Sequence, residues 1–125
     1  MTIDLMAWVL DTVAGVPGLN GAYRAFPKKS RDTIPYAVVR QVGRSVVHLQ
    51  DGVETMADLT YSVDVVAATE SAAQALLGQV AEALARFNMV ETAYYSDFAQ
   101  ENNVFRANAT FAVTVGADGR TYTGR

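Results

Sequence analysis

The sequence predicts an α+β fold: a single domain with a mainly antiparallel β-sheet, two helices packed on it and a long β-hairpin. Three observations predict it. Two stretches repeat apolar residues at helical spacing: Met6, Val9, Leu10 and Val13, then Ala73, Leu76, Leu77, Val80, Leu84 and Phe87. Two others alternate with a period of two: Leu59 to Val65, and Phe105 to Val115. Between the helical stretches the strands follow one another around Asp51-Gly52, whereas a parallel βαβ sheet would alternate strand with helix. A length of 125 residues fits one domain, and 50% hydrophobic with 18% charged residues fits a packed core.

The elements follow in order. Residues 2–14 read as a helix, with Thr2 as its cap and Asp4 in the first turn, where the helix dipole favours an anion. Gly15 and Pro17 stop it. Asn20-Gly21 signals a turn, Ala22 to Phe26 a short strand, and residues 27–33 a polar loop. Pro35 opens a strand, Tyr36 to Val42. Tyr36, Val38, Arg40 and Val42 share one face; Ala37, Val39 and Gln41 share the other. Because both faces are partly apolar, the strand is expected in the middle of the sheet.

Residues 44–50 continue that strand to Asp51-Gly52, a pair suited to the positive φ angles of a type I′ turn. On the return arm Leu59, Tyr61, Val63 and Val65 face the core. Thr60, Ser62 and Asp64 face the wetter side. Thr69 then caps a second helix, Glu70 sits in its first turn, and Asn88 ends it. Met89 to Tyr95 is a strand, "SDFAQENN" a turn-rich connection, and Val104 to Val115 the last strand, with Arg106, Asn108, Thr110 and Thr114 on its polar side. Gly116 to Arg125 is expected to be loose.

Composition bounds the function. The formal net charge of −3 argues against a dedicated nucleic-acid binder; only Arg24, Lys28, Lys29 and Arg31 cluster, and they read as a solvated loop. No apolar run approaches the ~20 residues of a membrane span. The N-terminal stretch carries Asp4 and Asp11 and no positive n-region, so it is not read as a signal peptide. The absence of cysteine removes disulfides, thiolate ligands and a Cys nucleophile, and fits a reducing cytoplasm.

Catalytic equipment is sparse. His48 is the one histidine, near the hairpin tip, and a general base needs a partner to orient it. Asp97 and Glu101, beside Asn102 and Asn103, match no calcium-loop spacing. The sequence therefore assigns no catalytic residue, metal or cofactor. A competing reading is a small α+β enzyme or ligand-binding domain whose pocket would be faced by Tyr36, Arg40, Tyr61 and Arg106. Tyr94, Tyr95 and Phe98 form an aromatic group, and Trp8 falls on the side of its helix opposite Met6 and Val13. These four are candidates for a second contact surface.

Taken in order, the N-terminal helix, "PGLNGAYRAFPKK", "IPYAVVRQV", "DGVETMADLTYSVDVVAATESAAQALLGQVAEALARF" and "YYSDFAQENNVFRANATFAV" resemble the tail terminator (tail completion, minor tail) proteins of long-tailed bacteriophages, over nearly the whole chain. The resemblance implies an α+β fold and no enzymatic activity. It implies a homo-hexameric ring that caps the tail tube, stops its polymerisation and meets the head-tail connector protein. The implied location is the virion, after assembly in the host bacterial cytoplasm. The partners are then other copies of the chain, the tail tube protein and the connector, without membrane or sequence-specific nucleic-acid binding. Other phage neck proteins, such as head-tail joining proteins, are similar in size and composition. In a ring, an arm can reach a neighbour. Residues 44–56 are expected to extend beyond the core, with Val46, Val47, His48, Leu49, Gln50, Asp51, Val53 and Glu54 meeting an adjacent subunit or the tail tube.

Overall fold

The first helix, α1 (Met6–Ala14), has no side-chain cap at its start. Its lead-in is held instead by the sheet: the Leu5 N–H donates to the Tyr61 hydroxyl at 3.0 Å. The computed structural model describes residues 5–25, 34–50, 53–99, 104–116 and 121–122, and the backbone alone at 46–50, 53–55, 95–99 and 121–122. The expected roles of Thr2 and Asp4 fall outside it, as do Lys28, Lys29, Arg31, Asp51, Gly52, Glu101, Asn102 and Asn103. α1 ends at Gly15, and Gly18 adopts φ 96°, a conformation that suits glycine. Asn20 then ties the connection to the start of the main hairpin, its N–H donating to Pro35 O at 2.7 Å and its side-chain amide to Ile34 O at 2.9 Å.

The strands are β1 (Ala22–Tyr23), β2 (Tyr36–Gln50), β3 (Val53–Ala67), β4 (Val90–Ala99), β5 (Val104–Gly116) and β6 (Thr121–Tyr122). They form one sheet in the order β1-β2-β3-β5-β4. Only β1 and β2 are parallel; the other pairings are antiparallel. β6 pairs with Thr114 and Val115 of β5, on the edge that β4 follows only to Ala112. The fold is therefore the α+β architecture that the sequence predicts, with β2 and β3 as the long hairpin.

The second helix, α2 (Glu70–Ala85), follows its sequence signals. The Thr69 hydroxyl accepts from the Ala72 N–H at 3.1 Å, and Glu70 occupies the first turn. Ala73, Leu76, Leu77, Val80 and Leu84 are buried. Asn88 leaves the helix with φ 67°, a region that asparagine tolerates. Both helices cover one face of the sheet. There Ala37 and Val39 of β2, Leu59 to Val65 at alternate positions of β3, and Phe111, Val113 and Val115 of β5 pack with Val9, Val13 and the α2 stripe.

Three expectations are corrected. β2 is not central: β1 pairs with it only at Ala37 and Val38, and β3 and β5 occupy the middle. Its two apolar faces have separate causes, since Tyr36 and Val38 join Val66, Val104, Tyr23 and Ile34 in a small second core on the other face. The "SDFA" part of the expected connection belongs to β4, whose ladder runs Ser96 to Ala107, Asp97 to Arg106, Phe98 to Phe105 and Ala99 to Val104. Pairing with β5 outweighs the turn preference of Ser96 and Asp97. The expected loose tail also contributes structure: Gly116 ends β5, and residues 121–122 form β6.

Candidate functional site

The period-two alternation of β3 and β5 places Ser62, Asp64 and Asn108 on the sheet face away from the helices. The register sets Asp64 directly opposite Asn108. The Asn108 amide nitrogen donates to Asp64 Oδ1 and to Ser62 Oγ, each at 2.7 Å. A guanidinium nitrogen of Arg40 donates to Asp64 Oδ2 at 3.4 Å. On the same face the Thr114 hydroxyl donates to Asp58. Asp64 is 1% exposed, whereas the Arg40 side chain is 53% exposed. The face expected to be wetter thus carries a buried, hydrogen-bonded polar group.

Both Asp64 oxygens are engaged and turned from solvent, so the carboxylate is not presented as a base. What the group does is fix register. A one-residue slip of β5 would exchange Asn108 for an apolar neighbour and leave a buried carboxylate short of a partner. The sequence signal for this group is polar residues at matching alternate positions of two strands. Asn108 lies 44 residues from Asp64, so only the register joins them.

Of the residues of the competing pocket reading, Tyr61 is separated from the other three, and Arg106, opposite Val66 in the ladder, lies on the same face as Tyr36 and Arg40. Tyr61 is buried on the helix face, where its hydroxyl accepts from Leu5. Tyr36 and Arg40 lie on the opposite face. Among the described residues no group of three or more His, Asp or Glu side chains could hold a metal ion. No described helix is long and apolar enough to cross a membrane. Between α1 and α2 lies an open groove of ≈ 520 Å³, bordered by Asp11, Pro17, Gln79, Glu82, Arg86 and Phe87.

The expected contact surfaces divide. Trp8 is partly buried against the core, and its ring meets the Phe87 ring edge-on, centroids 4.4 Å apart. It therefore packs at the helix junction, with part of its surface still exposed. Phe87, expected to continue the buried stripe, lies beyond the end of α2 and is 40% exposed. Tyr94, on β4, is 48% exposed. Tyr95 and Phe98 stand opposite Asn108 and Phe105 in the ladder; their side chains lie outside the described residues.

The hairpin is paired from Tyr36–Val66 to Gln50–Val53, which leaves Asp51 and Gly52 between the arms. β5 accompanies β3 as far as Met56, opposite His48, so among the described residues only 49–50 and 53–55 extend past β5, and not the whole of 44–56. Val46, Val47, His48, Leu49, Gln50, Val53 and Glu54 are thus placed by backbone only, in the arm and its base. Register shifts near Val42, Val47 and Thr55 bend and twist this part of the ladder. On its outer side, no described strand pairs with β2 beyond Val38.

No protein-family model matches the chain. No curated protein sequence matches it either.

Proposed function

We propose that the chain is a structural assembly protein of a long-tailed bacteriophage. As a hexameric ring of copies it caps the end of the tail tube, stops polymerisation and offers its other surface to the head connector. It works by contact and not by catalysis, needs no cofactor, and ends in the virion after assembly in the host cytoplasm. The ordered resemblance along the sequence supports the tail-end assignment. The observation that carries an assembly role is the outer edge of β2, open from Val39 to Gln50 among the described residues. A long unpaired edge is a liability in an isolated molecule and a template in an assembly. The ends of β2 and β3, residues 49–50 and 53–55, extend past β5, which supports an arm that reaches a neighbour or the tube.

Deleting the coding sequence from the phage that carries it tests the proposal. Overlong tail tubes without heads are expected, with normal length restored when the chain is supplied separately. Tails of normal length that join heads without it would overturn the reading.

A further inference from the structure

We infer that copies join head to tail through their sheet edges, β2 of one chain against β4 of the next. The inference rests on the ring reading above and names the contact that would build it.

The two free edges are suited to each other in four ways. They lie at opposite ends of the main sheet, β2 open over 39–50 and β4 spanning the 10 residues Val90–Ala99 with no described strand on its outer side, so their lengths are similar. Their directions match as well. Three successive antiparallel pairings separate β2 from β4, so the two strands run in opposite senses. A copy rotated about an axis along the strands therefore brings its β4 antiparallel to β2. The backbone groups are available: the Ala37 N–H points outward, donating to Gly21 O at 3.0 Å, and the period of two points the N–H and C=O of Val39 and Gln41 the same way.

The side chains are complementary. Along β2, Arg44 is exposed, as is Arg40, which also pairs with Asp64; along β4, Glu91 is exposed. Of the four large hydrophobic residues exposed among those described, three lie on these strands: Val42 at 54%, Val90 at 41% and Tyr94 at 48%. Pairing β2 with a second β2 would set arginine near arginine, and pairing β4 with β4 would do the same for the carboxylates; like charges across a ladder are unfavourable. The mixed contact is heterologous, so it closes into a ring when the rotation per copy divides a full turn.

The chain has no cysteine, which makes disulfide trapping clean. Val42→Cys is combined with Ala93→Cys, and in a second pair with Glu91→Cys. Within one chain three strand spacings, roughly 14 Å, separate these positions. That exceeds the ~7 Å Cα separation a disulfide allows, so any bond must join two copies. Mixed single variants should form 42–93 or 42–91 dimers in preference to like-with-like dimers, and the doubly substituted chain should form a ladder ending in a closed oligomer. Arg44→Glu should reduce trapping at least tenfold, and a partner bearing Glu91→Arg should restore it. Oligomers that form without these bonds would overturn the edge contact and leave the ring reading standing. A chain monomeric at millimolar concentration, with no trapping, would overturn the edge contact and withdraw this support from the ring.

Discussion

Three strands meet at Asp64 of β3: the Asn108 amide of β5 serves it together with Ser62, and Arg40 reaches it from β2. Replacing Asn108 with alanine removes both bonds and leaves a nearly solvent-free carboxylate without its Asn108 donor. The expected cost is about 2–4 kcal/mol, read as a lower urea midpoint at unchanged slope. Arg40→Ala should cost less, about 1 kcal/mol or below, because its half-exposed guanidinium forms a long, water-screened ion pair. The opposite ranking would contradict a register role for Asn108. Tyr61→Phe removes the acceptor of the Leu5 N–H and should cost about 1 kcal/mol, with the fold intact by circular dichroism.

The elements differ in how far local sequence decides them. α2 was readable because its cap, first-turn acid and apolar stripe all agree. Thr69→Ala should cost about 1 kcal/mol and Leu84→Ala about 2–5 kcal/mol by chemical denaturation. The faces of β3 and β5 were readable for the same reason: each residue alternates as its burial requires. The end of β4 was not, since Ser96 and Asp97 favour turns locally and are drafted into the sheet by β5. The edge position of β2 was hidden too. Tyr36 and Val38 are buried by a local cluster with Tyr23 and Ile34, which mimics the two-sided burial of a central strand. The polar group around Asp64 needed the β3–β5 register, which no local pattern supplies. Because the Gln41 N–H points outward, Gln41→Pro should leave the monomer folded, as proline is tolerated on an open edge, while weakening self-association. Unfolding of this variant would place that N–H inside the ladder.

For the whole molecule, the proposed assembly would continue one helix-covered sheet from copy to copy, through β2 and β4, the strands left with an open outer side among the described residues. The closed form depends on concentration, since each contact is bimolecular. The most direct test is the mass in solution by light scattering from micromolar to millimolar protein, with electron microscopy of any large species. The account predicts growth from monomer to one discrete closed species, seen as six-fold rings. A mass that stays at one chain throughout, or that rises without limit into filaments or amorphous aggregate, would contradict it.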